Sequence, residues 1–234
     1  MIQGTTQTEA SYLTAYGASI TAGAALGADG KWGFNVAYPQ LYGNQHGLAV
    51  ADFAINGSVL EQVYGCALAG RALNESADAI FFDAGPWDYI FARYYYVMGQ
   101  GGGVDGQDVL RQAVSHVETV VPLIVQELAT HQKPGAKIAG MGMYDPYVST
   151  DAHTSTMPAN GTDHDVLNPY LCQINTIVKQ SLQEQGLAYA DAYTAFNGAS
   201  GEEDPVAKGY IAPDFAHPSQ AGQDALAQAF SNAN

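Results

Sequence analysis

The sequence predicts an α/β protein, a five-stranded parallel sheet covered by helices on both faces. Two observations predict it. Short apolar runs alternate with longer stretches of helical periodicity along the whole chain, which implies parallel pairing through right-handed crossovers. In addition, 234 residues of which 47% are hydrophobic make a globular chain, large enough to bury a real core as one domain spanning 1–234.

The first strand is the apolar run from Tyr12 to Tyr16. It stops at Gly17, and small residues continue to Gly27, so a tight turn presents Ser19 at the carboxyl edge of the sheet. Trp32 to Leu41 reads as a short helix ending at Gly43. Leu48 to Ile55 is a second strand, closed by Asn56-Gly57-Ser58. Ser58 with Glu61 forms a capping box for a helix reaching about Leu68. Ala77 to Ala84 is a third strand, stopped by Gly85-Pro86. From Val104 a long helix places Leu110, Ala113, Val117, Val121, Ile124 and Leu128 on one face, and Pro122 should kink it. Gln100-Gly101-Gly102-Gly103 before it reads as a flexible connector. Lys137 to Met143 is a fourth strand, 144–165 a polar loop, and Val166 to Gln185 a helix. Leu187 to Ala190 is a fifth strand, and Ser219 to Phe230 the closing helix.

Composition restricts function. A formal charge of -15 with only 13% charged residues repels nucleic acid and anionic membranes, and it favours neutral substrates over polyanions. No apolar run approaches the ~20 residues of a membrane span. Cys66 and Cys172 have no metal-type spacing; they are either one disulfide or two buried thiols. Met1 to Thr6 lacks the basic-then-apolar pattern of a signal peptide. Few lysines and strong acidity point instead to an exported protein. No cofactor is implied, and oligomeric state has no sequence signal.

A serine at the carboxyl edge of an α/β sheet stands where ligands bind, but an unassisted hydroxyl is a weak nucleophile. Asp214-Phe215-Ala216-His217-Pro218 offers a base and its orienting carboxylate three residues apart, within one turn of chain. Taken alone, Asp-x-x-His is more plainly a turn cap beside a surface histidine.

Resemblance decides between them. Gly17-Ala18-Ser19-Ile20-Thr21-Ala22-Gly23 resembles the first motif of the GDSL, or SGNH, hydrolases. Asn56-Gly57-Ser58 resembles their second, Gly85-Pro86-Trp87-Asp88 their third, and Asp214 to Pro218 their last. Met143-Tyr144-Asp145-Pro146 resembles a segment of an actinobacterial-type branch. The likeness implies a flavodoxin-like three-layer α/β/α fold and hydrolysis of carboxylic esters through an acyl-serine. It implies Ser19 as nucleophile, His217 as base, Asp214 as its orienter, and the Ser19 and Gly57 amides as oxyanion donors. The chain departs from the family twice. Ala18 stands where the family has aspartate, which should loosen the turn, and Trp87 replaces the asparagine that donates to the oxyanion. Loss of one such donor costs about 10²–10³ in rate. Trp87 is therefore either a substitute donor, through its single N–H, or a wall of the acyl pocket.

The motif is not the Gly-x-Ser-x-Gly elbow, because Thr21 occupies the second glycine position. Gly17, Gly23 and Gly27 also fail the nucleotide-binding patterns. The aromatic stretch Trp87 to Tyr96 is either core or one wall of a cleft, with Trp87, Tyr89 and Tyr144 as cleft candidates suiting acyl chains or sugar rings. Asp151, His153, Asp163, His164 and Asp165 read as a solvated polar loop rather than a metal site, and His46, His116 and His131 carry no distinct signal. The leading expectation is a serine esterase acting on a small-molecule ester, of short acyl groups or acetylated sugars. The competing one, motivated by Ala18 and Trp87, is a ligand- or carbohydrate-binding module with a decayed site.

Overall fold

The computed structural model describes residues 11–84, 86–152 and 160–234; Met1 to Thr6, Gly85 and His153 lie outside the described residues. In chain order the elements are β1 (Tyr12–Tyr16), β2 (Ala24–Leu26), β3 (Trp32–Phe34), α1 (Tyr38–His46) and β4 (Ala49–Asp52). There follow α2 (Leu60–Ala69), α3 (Arg71–Asn74), β5 (Ala79–Asp83), α4 (Pro86–Val97), α5 (Asp108–Thr130) and β6 (Lys137–Met141). The chain closes with α6 (Asp163–Glu184), β7 (Ala188–Ala190), α7 (Ala192–Asn197) and α8 (Gln220–Asn232).

Five strands form one parallel sheet in the order β4-β1-β5-β6-β7, and β2 and β3 form a separate antiparallel hairpin. The two-residue period of a strand divides the core between two layers. On β5, Ile80 and Phe82 face α2, α4, α5 and α6, whereas Ala79 and Phe81 face α1, α7 and α8. On the second face Phe230 stacks on Tyr38 and packs against Phe81, with ring centroids 4.6 and 4.4 Å apart. After β1 the chain runs to β4 on one side and returns to β5 on the other. That reversal opens a crevice at the carboxyl end of β1, where an open α/β sheet binds ligands.

The last helix is stitched to the first part of the chain. Gln223, fully buried, accepts from the Tyr38 amide (2.9 Å) and donates to the Ile20 carbonyl (3.0 Å). Gln220 exchanges two hydrogen bonds with the backbone of Val36, and Asn35 donates to the Pro218 carbonyl.

Four expectations need correction. Trp32 to Phe34 is a strand, and the helix starts at Tyr38, because Pro39 fits the first turn of a helix but not the interior that a start at Trp32 would give it. Ser58 does not cap α2; its hydroxyl donates to the Ile55 carbonyl, and the N-cap is one residue later, at Val59, with Gln62 closing on the Val59 amide. The glycine patch is a fastened turn: Gly101 and Gly102 carbonyls accept from Val109 and Asp108, and a Cβ on Gly101 would collide with the Gly106 carbonyl. Asp151 and Asp163 are buried rather than solvated; Arg93 from α4 pairs with Asp151 and lies 3.6 Å over the Tyr147 ring. α5 runs through Pro122 as one helix. Cys66 and Cys172 are free and half-buried. No helix among the described residues is long and apolar enough to cross a membrane.

Gly140 on β6 pairs with Phe82 on the neighbouring strand β5, and a Cβ there would collide with the Phe82 ring. Gly140→Ala is expected to destabilise the protein by about 1–3 kcal/mol through overpacking. Urea unfolding checks this: the midpoint should fall with the slope unchanged.

Candidate active site

The turn after β1 is held from below. Its backbone closes through Ala22 to Ala18 (3.1 Å) and Ala24 to Ser19 (2.9 Å). Beneath it lies the buried carboxylate of Asp83, at the end of β5. Asp83 accepts from the Ala18 amide at 3.2 Å and from the Thr21 hydroxyl, which in turn sits 3.0 Å from the Tyr38 hydroxyl. Gly17 is required by this approach, because a Cβ would collide with the Asp83 carboxylate. The turn is therefore not loosened by Ala18. A carboxylate arrives from a neighbouring strand instead of from the residue before the serine.

The two ends of the chain meet at Ser19. His217 Nε2 lies 2.8 Å from Ser19 Oγ, and His217 Nδ1 lies 3.1 Å from Asp214 Oδ2. Asp214 also caps its own turn, accepting from the Ala216 and His217 amides at 2.9 and 2.8 Å, and it reaches across to the Leu26 amide at 3.1 Å. The side chain that caps the turn is thus the one that faces the imidazole. Burial by itself would raise the Asp214 carboxyl, but the hydrogen bonds from His217, Ala216 and Leu26 outweigh it and hold the group at about 2. Phe215, between the two, takes a left-handed backbone (φ 59°) and exposes its ring.

Gly57 has φ +77°, a conformation that favours glycine, at the close of the loop after β4. The Trp87 indole nitrogen is 3.5 Å from where a Cβ on Gly57 would stand, so the ring's N–H edge lies beside that backbone. Behind it, His116 Nε2 sits 3.2 Å from Glu61 and 3.4 Å from Asp88, and Asp88 accepts from the Leu60 amide. This cluster joins α2, α4 and α5. Among the described residues it is also the group with the donor types of a cation site.

Two recesses lie nearby, lined by neighbours of the serine and histidine rather than by those two residues themselves. One is apolar and lined by Ile20, Ala84, Tyr89, Met141, Tyr144 and Ala216, with Asp83 at its edge, and its volume is about 20 Å³. Tyr89 and Tyr144 are buried walls with committed hydroxyls, donating to the Leu167 and Ala216 carbonyls. Trp87 is not among its lining. The aromatic stretch divides: Tyr89 and Tyr96 are buried, while Phe91, Tyr94 and Tyr95 face solvent. The segment carrying Tyr144 is clamped by two asparagines that no sequence motif marks. Asn175 exchanges two hydrogen bonds with Met143, and Asn197 exchanges two with Asp145. The second recess, about 550 Å³, lies along the β2–β3 hairpin.

A family profile described as GDSL-like Lipase/Acylhydrolase matches residues 15–225. The chain belongs to that family. As a GDSL-like protein it is an ester hydrolase, and the non-catalytic reading falls away. Its fold is similar to that of a lipase from a goat rumen metagenome (18% identity, 94% of this chain and 96% of that one, TM-score 0.71). It is similar also to a phospholipase A1 from Streptomyces albidoflavus (21%, 95% and 98%, 0.69) and to the acetylxylan esterase Axe2 from Geobacillus stearothermophilus (20%, 94% and 92%, 0.62). No curated protein sequence matches the chain.

The lowered Asp214 carboxyl carries a linkage consequence. Its folded value, about 2, lies below the ordinary aspartate value of about 3.9, so its stabilising contribution is complete above about pH 5 and fades as pH falls toward 2. The unfolding free-energy difference between the wild type and Asp214→Asn is expected to shrink over that interval. Urea titrations at a series of pH values check it; a difference independent of pH contradicts it.

Proposed function

We propose that this hydrolase is a serine esterase that removes short acyl groups, acetyl above all, from neutral alcohols including those of sugars. The observation that carries the reading is the continuous chain Ser19 Oγ, His217 Nε2, His217 Nδ1, Asp214 Oδ2, with links of 2.8 and 3.1 Å at its two ends.

In this reading Ser19 Oγ attacks the carbonyl carbon and passes its proton to His217 Nε2, while Asp214 holds the imidazole with Nδ1–H toward it. The carbonyl oxygen becomes an oxyanion, accepting from the Ser19 and Gly57 amides. Trp87 Nε1–H is the third donor, replacing the family's asparagine; its place beside Gly57 supports this role over that of an acyl-pocket wall. Collapse breaks the bond to the alcohol oxygen, which leaves with the proton from His217. Water then attacks the acyl-serine, gives a proton to His217, and the carboxylic acid departs as that proton returns to Ser19.

The small recess supports a short acyl group. A volume of about 20 Å³ accommodates about one water-sized group, and the walls Tyr89 and Tyr144 are fixed by their hydroxyls. A long chain would have to displace them. The acidic, lysine-poor composition suits an exported enzyme acting on neutral substrates.

Ser19→Ala is expected to lower turnover of p-nitrophenyl acetate at least about 10³-fold, and activity surviving that change would reject the triad. On wild-type protein the acetate ester should be preferred over the octanoate by kcat/KM. Trp87→Phe keeps the ring and removes the N–H. It should lower kcat about 10²–10³-fold with little change in KM. An equal kcat would return Trp87 to a packing role.

A further inference from the structure

We propose that Trp32 and the hairpin carrying it form the subsite for the alcohol half of the ester, and that this half is a sugar ring. The proposal rests on the esterase reading above and adds the residue that selects the leaving group.

Proton delivery fixes where the alcohol must be. His217 Nε2 gives its proton to the departing alcohol oxygen, so that oxygen lies within hydrogen-bond reach of the imidazole. Whatever the oxygen is attached to then spreads over the surroundings of His217. Those surroundings include Trp32, which also lines the larger recess. The Trp32 ring meets the His217 ring edge-on, with centroids 5.5 Å apart, yet it remains 63% exposed. The recess of about 550 Å³ is lined by Leu26, Asp29, Lys31, Trp32, Asn35 and Pro213 among others. On the same measure the acyl-side recess is about 20 Å³, so bulk is accommodated on the alcohol side.

The lining decides the chemistry. An indole face left in water beside a carboxylate and an ammonium suits a ligand with one apolar face and hydroxyls at its rim. Asp29 and Lys31 are both largely exposed; they pair with each other at 3.9 Å and Asp29 accepts from the Lys31 amide at 3.1 Å, which leaves the ammonium further N–H donors for such hydroxyls. A pyranose has that shape: its C–H face covers the indole, and its hydroxyls reach the two charged groups. A fatty alcohol would strip water from both charges without replacing it. A two-carbon alcohol would leave the indole uncovered.

The hairpin is also positioned well enough to discriminate. Leu26 donates to Asp214, Asn35 donates to the Pro218 carbonyl, and the Asn35 amide donates to the Gly23 carbonyl. Trp32 is thereby held in register with the histidine it touches.

The test compares kcat/KM for a monoacetylated methyl xyloside and for ethyl acetate in wild type, Trp32→Ala and Trp32→Phe. Trp32→Ala is expected to lower the sugar-to-ethyl ratio about tenfold, mainly through KM of the sugar ester, and Trp32→Phe to restore part of it. Turnover of both esters with that ratio unmoved by Trp32→Ala overturns the subsite while leaving the esterase reading intact. Turnover of neither by the wild type sinks the esterase reading, and this proposal with it.

Discussion

The amide of Gln223 is the contact on which the site's assembly depends. It is fully buried, and its two ends bond backbone at the start of α1 and in the turn after β1: the Tyr38 amide and the Ile20 carbonyl. One of those groups belongs to the residue after Ser19. An apolar side chain at 223 could fill the space, but it would leave a buried donor and a buried acceptor without partners, at a cost of about 1–3 kcal/mol each. A buried amide satisfied at both ends also fixes register, since sliding α8 by one residue would break both bonds. His217 is separated from α8 by Pro218 and the capping Ser219 alone, so register in the helix becomes position at the imidazole. The 2.8 Å approach to Ser19 follows from it.

The first departure from the family's pattern is answered by a group from another element, and the second by the substituted residue's own position. The turn lacks its own aspartate, and Asp83 supplies a carboxylate from β5, bonded to the Ala18 amide and the Thr21 hydroxyl. The third motif lacks its asparagine, and the indole N–H of Trp87 stands beside Gly57. His116, Glu61 and Asp88 draw together the starts of α2 and α4, the elements that follow Gly57 and carry Trp87. Neither replacement alters the charge facing the carbonyl, since the indole is neutral and Asp83 lies beneath the turn.

Much of this is legible in the sequence, for a local reason. β1, β5, β6 and β7 are apolar runs closed by glycine or polar residues, and α5 and α6 carry a regular apolar stripe. Ser19, His217 and Asp214 are legible because each sits in a short motif whose geometry is set within a few residues. What is not legible depends on partners far away. Asp83 bonds residues over sixty positions earlier, and Gln223 about two hundred. Asn175 and Asn197 act on a segment that neither adjoins. β3 reads as part of a helix because the scattered apolar residues of 32–41 fit either period, and only Pro39 marks the true start of α1. Trp32 is hidden with it. Asp151 looks solvated because nothing near it in sequence offers a cation; Arg93 comes from α4, 58 residues away.

The unequal recesses bear on which step each half of a substrate influences. In the proposed mechanism the alcohol is present only until the acyl-serine forms, whereas the acyl group is held through both halves of the cycle. Binding energy gathered over Trp32 therefore acts on acylation alone, where it can hold the leaving oxygen at His217 Nε2 as charge develops. The acyl recess must seat the same carbonyl twice, first for Ser19 and then for water, with its oxygen on the same donors each time. A small, rigid recess meets that demand, because Tyr144 bonds the carbonyl of the residue before His217, and Asn175 and Asn197 clamp the segment that carries it. Space on the alcohol side imposes no such penalty, because that side is vacated before water enters. Narrow acyl space and wide alcohol space are thus the arrangement expected of an enzyme that trims small acyl groups from larger molecules.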